Sequence, residues 1–368
     1  MTSAAAAEAP GPDRLIRVLV VDDSATVRAV LARRLDADPA LEVVGRAADG
    51  LEALELIAAL RPDVVTLDIE MPRLDGLGTL ERIMTECPTR VVMVSSLTAE
   101  GADATIRALE LGAVDFIEKP SFGGVVAPHT VHAVVDEVSQ KVRHAAGARL
   151  ARLRPRPERL AAVPPPPSRR ESRWLPKKVL IGSSTGGPQA LRQVLTSLPA
   201  DFGVPVVVVQ HMPGGFTRSL ARRLDELSPL SVQEATPGSR LEMGKVLIAP
   251  GGFHVTLDGH GVVALNEDEP ECGVRPSVNV TAESLARAFG ADVIAVVLTG
   301  MGSDGTRGAG LIKQAGGSVI VEAEESCVVY GMPRSVVEAG YADRVVSLED
   351  IAGALMRACR ATSTAQRR

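Results

Sequence analysis

The sequence predicts an α/β protein made of two doubly wound domains. Short Val-rich runs alternate with amphipathic stretches, and the alternation occurs twice, before and after an Arg/Pro-rich segment near the middle of the chain. Apolar runs separated by helix-length segments are the pattern of parallel strands joined by crossover helices. The length of 368 residues agrees, since about 150 residues commonly make one domain.

Residues 1–13, MTSAAAAEAPGPD, are small and aperiodic and read as a disordered leader. The first domain is expected over 14–145. It starts with strand Arg17-Val18-Leu19-Val20-Val21 and a helix carrying Val27, Val30, Leu31 and Leu35 on one face. The unit recurs at Val64-Val65-Thr66-Leu67 after a helix beginning near Gly50, at Val91-Val92-Met93-Val94 after a helix carrying Leu77, Leu80 and Met84, and at Phe116-Ile117. A last helix spaces Val131, Val134, Val135, Val138 and Val142 along one face. Residues 146–176 turn abruptly to Arg and Pro and read as a semi-rigid basic linker, extended at Pro164 to Pro167 and docked at its end by Trp174. The second domain is expected over 177–360, with strands at Val179-Leu180-Ile181, Val206 to Val209, Val246-Leu247-Ile248, Val293 to Leu298 and Val319-Ile320-Val321, and 361–368 is left as a tail. Runs this continuous suit strands covered on both faces.

Composition narrows the function. No run approaches the ~18 apolar residues of a membrane span. A net charge of −5 lacks the basic field of a nucleic-acid binder, and 2% aromatic residues leave few platforms for stacking bases. Neither nucleic-acid binding nor membrane insertion is expected. Cys87, Cys272, Cys327 and Cys359 form no C-x-x-C pair, and no secretory signal pattern precedes the first strand, so a cytoplasmic chain with reduced thiols is expected.

In a parallel sheet, functional residues collect where strands end. Asp22 and Asp23, Asp68, Ser95 and Lys119 each follow a predicted strand and so fall on one edge. Carboxylates brought together repel, and the ordinary remedy is a hard divalent cation with oxygen ligands, Mg²⁺ being abundant. A cation would let Asp68 accept a phosphoryl group, with Lys119 and the Ser95 hydroxyl placed to bind the product. Taken singly, Asp22-Asp23 would cap a helix and Asp68 would sit in a turn. The strings VVDDS, LDIEMPRLDG, VSS and EKP, in order after successive strands, resemble the response-regulator receiver family over roughly residues 15–140. The resemblance implies a flavodoxin-like parallel sheet and Asp68 as the phospho-acceptor. It further implies Mg²⁺ on Asp22, Asp23, Asp68 and the Glu70 carbonyl, and a switch formed by Ser95 and Phe116 with Lys119.

The second domain opens on a different chemistry. Gly182-Ser183-Ser184-Thr185-Gly186-Gly187-Pro188 is a strand-to-helix turn whose N–H groups can face an anion. A phosphate loop is one reading, but its lysine is absent. A nucleophilic serine is another, and it needs a His base and an orienting carboxylate at neighbouring strand ends. His211 and Asp304 follow two later strands. Each also has a plainer role: Ser184 as a helix cap, His211 as a satisfied core histidine, Asp304 as an N-cap. Spacing alone leaves these readings level.

The strings IGSSTGGPQAL, QHMPGGFTRSLARRL, IAPGGFH, RPSVNV, VVLTGMGSDG and ESCVVYGMP resemble the catalytic domain of the CheB family of chemotaxis protein-glutamate methylesterases. That catalytic domain is α/β with a mainly parallel sheet, and receiver, linker and esterase stand in the family's order. The resemblance implies Ser184 as nucleophile, His211 as general base and then acid, and Asp304 as orienter of the imidazole. It places the Met301 N–H in the oxyanion hole with Thr185 as a neighbour of the site, and it implies no cofactor there. Ser183 stands where the family commonly has Ala, so it is not the nucleophile. The implied substrates are glutamyl methyl esters and glutamines of chemoreceptors, and the implied phosphodonor is a CheA-type histidine kinase. Asn279 departs from the expected RPSVD, which predicts a missing charge at the rim of the site, bearing on substrate preference or docking. His254 and Arg275 receive no chemistry, and His129, His132 and His144 lack the partners of a zinc site. The rival reading is a noncatalytic signalling module whose docking is controlled by phosphorylation, or an esterase for a receptor outside chemotaxis.

Overall fold

A computed structural model describes residues 14–96, 98–119, 138–149 and 174–360. The leader, residues 150–173 of the linker, the tail, and His129, His132, Val131, Val134 and Val135 lie outside the described residues. The chain forms two compact units, divided between Pro155 and Arg156.

The first unit is a five-stranded parallel sheet of β1 (Ile16–Val21), β2 (Leu41–Ala47), β3 (Val64–Asp68), β4 (Arg90–Ser95) and β5 (Asp115–Glu118), in the order β2-β1-β3-β4-β5. Helices α1 (Ala25–Asp36), α2 (Gly50–Leu60), α3 (Gly76–Glu86) and α4 (Ala99–Leu111) connect the strands, and 138–146 form α5. Each of the first four starts at a cap that the sequence supplies: Ser24 accepts from Val27, Asp49 from Leu51 and Glu52, Asp75 from Gly78 and Thr98 from Gly101. Such a cap stabilises a helix by about 1 kcal/mol. β3 and β4 are buried along their whole length, as continuous apolar runs require. β2 was not expected: it is an edge strand, and Glu42, Gly45 and Arg46 break its apolar run. The unit also extends past the expected close at 145, because Ala146 and Ala148 are buried and Arg90 Nε donates to the Ala148 carbonyl at 2.8 Å.

The second unit holds a seven-stranded parallel sheet in the order β14-β13-β12-β6-β7-β9-β8. Its strands are β6 (Lys178–Ser183), β7 (Val206–Gln210), β8 (Ser231–Glu234), β9 (Lys245–Ile248), β12 (Val293–Val297), β13 (Ser318–Glu322) and β14 (Arg344–Val346). β10 (His254–Leu257) and β11 (Val263–Asn266) pair with each other as an antiparallel hairpin outside that sheet. The helices are α6 (Gly187–Thr196), α7 (Phe216–Leu227), α8 (Val278–Phe289), α9 (Thr306–Gln314), α10 (Met332–Glu338) and α11 (Leu348–Cys359). The sequence reading passed over β8, β10, β11 and β14, which are only three or four residues long and mix polar with apolar positions. Leu180, Val207, Leu247, Val293 and Val319 from the sheet pack with Val278, Leu285 and Ile312 from α8 and α9 in one core. Burying each such side chain contributes about 1.5–3 kcal/mol, which anchors the strand ends that carry the site. Trp174 docks onto this unit: its Nε1 donates to the Asp201 carbonyl at 2.7 Å and its ring meets Phe202 edge-on at 5.0 Å.

Candidate functional site

In the first unit Asp22 follows β1 and Asp68 ends β3, both buried, while Asp23 is exposed beside them. Oxygens of the three carboxylates lie within 4.8 Å of one another. Lys119, just past β5, puts its ammonium 2.7 Å from Asp68 Oδ2 and 3.3 Å from Asp22 Oδ2. Burial pushes Asp68 up to about 6 despite the Lys119 hydrogen bond, and the Asp22 charge adds to the rise. Burial also raises Asp22, whose Oδ1 takes the Ser24 N–H at 2.9 Å. Asp22 Oδ2 has the ammonium near it but no hydrogen bond. A buried, undersupplied oxygen flanked by further carboxylates fits a hard cation. Glu70 contributes a backbone N–H to Asp68, and its side chain is exposed.

Ser95 ends β4 with a buried hydroxyl that accepts from Thr105 Oγ1 at 2.7 Å and lies 3.2 Å from the Gly101 carbonyl. The first two turns of α4 therefore hold it. Phe116 is buried in β5, its carbonyl accepts from Lys141 Nζ at 2.7 Å, and the same ammonium stands 5.0 Å from the ring centroid.

In the second unit the two adjacent serines have different environments. Ser183 is fully buried and its hydroxyl donates to Gln210 Oε1 at 2.7 Å. Ser184 is half-buried, its N–H donates to the Thr299 carbonyl at 3.1 Å, and its carbonyl accepts from Gly187 N and Gln210 Nε2 at 2.7 and 2.9 Å. It is not the helix cap, since Gly186 takes the N-cap position of α6 in the left-handed conformation at φ 78°. Gly300 passes directly over Ser184: a Cβ at Gly300 would stand 2.8 Å from Ser184 Cβ and 2.5 Å from Met332 Sδ, so only glycine lets this loop close. Met301 follows, and among the described residues its N–H makes no hydrogen bond. Thr185 is buried and its carbonyl accepts from Thr299 Oγ1 at 3.1 Å.

His211 follows β7, its N–H bonded to the Ser183 carbonyl at 3.1 Å and its Nε2 2.8 Å from Asp304 Oδ2. No hydrogen bond joins His211 to Ser184 here, and Nδ1 is the nitrogen left for a serine proton. Asp304 is 2% exposed and takes hydrogen bonds from five groups: His211 Nε2, Ser277 Oγ and the N–H groups of Val278, Asn279 and Gly305. Burial works to raise this carboxyl, but His211 and the helix amides outweigh it, and its pKa lies below the ordinary value. Gly305, not Asp304, is the N-cap of α9, and Asp304 instead supplies acceptors to the first turn of α8.

Ser277 is a functional residue the sequence reading did not single out. It caps α8 and donates to Asp304 Oδ1 at 2.8 Å, a pairing across 27 residues that local pattern cannot reveal. His254 is buried, with Nδ1 accepting the Ser277 N–H at 3.2 Å and Nε2 3.2 Å from the Glu269 carbonyl, and Arg275 Nη1 donates to the carbonyls of Glu267 and Asp268. Asn279 corrects an expectation: it is 2% exposed and lies beside Asp304, so the missing charge is not at the rim. Glu271, Cys272 and Asp304 also cluster, but the Asp304 oxygens are engaged by five donors and Arg307 holds Glu271 at 2.8 Å, so this group does not suit a cation.

A buried, ionised carboxylate holding an imidazole beside a half-exposed serine can carry acyl transfer through a serine ester. The comparisons with known proteins identify both domains. Residues 18–124 match the family model of the response regulator receiver domain and residues 179–355 that of CheB methylesterase. A Symbiobacterium thermophilum protein named protein-glutamate methylesterase/protein-glutamine glutaminase is 53% identical over 356 residues, covering 94% of this chain and 97% of its own length. A Thermotoga maritima protein of the same name is 50% identical over 339 residues, covering 91% and 96%. Among described residues, no helix is long and apolar enough to cross a membrane.

Proposed function

The chain belongs to the CheB methylesterase family with a response-regulator receiver domain ahead of the catalytic one, and on that premise we propose that it is a phosphorylation-controlled protein-glutamate methylesterase and protein-glutamine glutaminase acting on chemoreceptors. The observation that carries the chemistry is the fixed Asp304–His211 pair beside Ser184, with the rival Ser183 hydroxyl already engaged by Gln210.

Ser184 Oγ attacks the side-chain carbonyl of a glutamyl methyl ester while His211 Nδ1 takes the hydroxyl proton. Asp304 stabilises the resulting imidazolium from the Nε2 side. The Met301 N–H faces the oxyanion. Collapse expels methanol, which takes the proton from His211 and leaves an acyl-serine. Water, deprotonated by His211, then adds to the acyl carbon, the bond to Ser184 Oγ breaks as Oγ takes the proton back from His211, and the glutamate is released and ionises. A glutamine side chain follows the same path, with ammonia as the leaving group.

In the receiver domain, Asp68 accepts a phosphoryl group from a CheA-type histidine kinase. Asp22, Asp23, Asp68 and the Glu70 carbonyl would hold Mg²⁺, which neutralises the transferring oxygens when bound. Lys119 binds the phosphoryl group, and Ser95 and Phe116 rearrange to transmit its presence. A tenfold activation requires only about 1.4 kcal/mol of differential stability between the two forms. This reading gives the receiver residues 14–148 and the esterase residues 174–360, each slightly longer than the 14–145 and 177–360 expected from the sequence. Four free cysteines suit a reducing compartment, and the reaction is assigned to the cytoplasm, without nucleic-acid binding or membrane insertion.

The test is methanol release from methyl-labelled receptor membranes, with and without a small phosphodonor and Mg²⁺. Release should be stimulated by the donor, abolished in Ser184→Ala, retained in Ser183→Ala and unstimulated in Asp68→Asn. Release that survives Ser184→Ala would refute the assignment of the nucleophile.

A further inference from the structure

Two helices in the catalytic domain begin side by side, and the first turn of each takes an acceptor from the start of the other. The opening N–H groups of a helix have no partner within it. At α8 the Val278 N–H goes to Asp304 at 2.6 Å, and the Asn279 N–H is shared between Asp304 at 3.0 Å and the N-cap Ser277 Oγ at 3.1 Å. At α9 the N-cap is Gly305, which has no side chain to offer, and the acceptor comes from across the interface: Asn279 Oδ1 takes the Gly305 N–H at 2.9 Å and the Gly308 N–H at 2.8 Å. Close approach makes this possible. A Cβ at Gly308 would stand 2.5 Å from Ala282 Cβ and 3.2 Å from Asn279 Cα.

We propose that Asn279 is a positioning residue for the reaction: its amide oxygen fixes the Asp304 turn against α8, and its neutrality leaves Asp304 as the one ionised carboxylate facing His211. This rests on the esterase reading of the site. The acceptor role alone would suit an aspartate equally well, because a carboxylate also accepts from two N–H groups. What the amide avoids is a second negative charge sharing the Gly305 N–H with Asp304. Two carboxylates so placed disturb each other's ionisation, and with it the charge that Asp304 presents to His211. The amide's other end, Nδ2, is 3.8 Å from Cys272 Sγ.

The charged and titratable groups around the pair are few. His211 faces Asp304 from the end of β7, and His254 of β10 reaches it only through Ser277. Cys272 and Glu271 approach from the loop before α8. The thiol is raised by burial and by the charges of Asp304 and Glu271, so it stays neutral, and Glu271 is paired with Arg307 of α9, which also holds Glu283 of α8. None of these supplies an unpaired charge to His211 in competition with Asp304.

The test uses the full chain and two readouts. The first is the titration of His211, followed by NMR of the ¹⁵N-histidine-labelled protein and assigned by the signal lost in His211→Gln. Asn279→Asp keeps both acceptor bonds and adds the charge, and the His211 signal should then change at higher pH than in wild type. The acid limb of kcat/KM for receptor methyl esters should move up by the same amount, with kcat at the optimum within about threefold of wild type. Asn279→Ala removes the acceptor, and kcat should fall at least about tenfold with KM unchanged within twofold, as displacement of an orienting group does. A folded Asn279→Ala with wild-type kcat, or an unmoved His211 titration in Asn279→Asp, would overturn the proposal. If Asn279→Ala does not fold, Asn279→Asp decides alone. The titration needs no substrate, so an absence of methanol release from wild type would count against the proposed function and leave this inference to be judged by NMR.

Discussion

Asp68 and Asp304 are both buried carboxylates, Asp68 at the end of β3 and Asp304 in the loop between β12 and α9, yet their surroundings drive them in opposite directions. Asp68 is pushed up to about 6 by burial, with Lys119 its strongest counterweight and Asp22 working against it. Asp304 is equally inaccessible yet falls below its ordinary value, because His211 and the N–H groups at the start of α8 outweigh burial. Burial therefore does not decide the charge of an acid here. The supply of donors does. Asp304 is complete within the protein, with five donors on two oxygens. The Asp22–Asp68 cluster leaves Asp22 Oδ2 without a hydrogen bond and suits completion by a cation.

The largest effect that would break this comparison comes from Asp304→Asn. An amide there turns an NH₂ group toward either His211 Nε2 or the α8 amides. Toward His211 it fixes the tautomer with the proton on Nδ1, the nitrogen needed to accept from Ser184. Loss of about 10⁴-fold in kcat is expected by analogy with other serine triads. The variant should also be less stable at neutral pH. A lowered carboxyl contributes stability above its unfolded value of 3.8, lost as pH falls through the lower folded value. Methanol release and urea unfolding read the two effects, and a stable variant with near wild-type turnover would remove Asp304 from its role.

A third acid sharpens the rule. Glu322 at the end of β13 is fully buried, its Oε2 takes the Thr299 N–H at 2.7 Å, and its Oε1 has no hydrogen bond. Burial pushes it up to about 7, the Thr299 N–H offsetting only part. The native state thus holds a proton that the unfolded chain releases near 4.5, so stability falls as pH rises through the window from 4.5 to about 7. Between pH 5 and 8, Glu322→Gln should gain about 2–3 kcal/mol on wild type. Trp174 is the single tryptophan and packs on Phe202 of the same unit, so its fluorescence reports this unfolding. A difference independent of pH would mean that Glu322 is charged throughout.

How much of this was legible in the sequence follows from what local pattern encodes. Continuous runs such as Val206 to Val209 announce strands buried on both faces, and the residues at their ends announce the edge that carries chemistry. Edge strands lack that signal: β2 and β14 carry charged or exposed positions. Asp22, Asp68, Ser184 and His211 were legible because each immediately follows or ends a strand, and Asp304 because it closes the Gly-rich turn that leads from β12 into α9. Ser277 and Asn279 were not legible as parts of the site, nor was Glu322 as a buried acid. Their roles depend on partners 23 to 29 residues away, and periodicity carries no information about which helix start faces which. Asn279 shows the limit, since the substitution was visible while its burial beside Asp304 was not.

The smallest effect is the most discriminating for the receiver. Asp22→Asn keeps an acceptor for the Ser24 N–H and removes a carboxyl that burial raises. Without cation, the native state retains protons on the Asp22–Asp68 cluster above the unfolded value of 3.8, and this lowers stability as pH rises through that window. Removing one charge should therefore stabilise the receiver unit at neutral pH, by less than about 1 kcal/mol because the Lys119 attraction is lost with it. Calorimetry resolves this, with Trp174 fluorescence marking the transition of the other unit. Millimolar Mg²⁺ should raise the receiver transition of wild type and leave that of Asp22→Asn nearly unmoved. The sign is opposite to that of Asp304→Asn, although both changes neutralise a buried aspartate. Two changes of the same sign would show that burial, and not the supply of donors, sets the contribution of these acids.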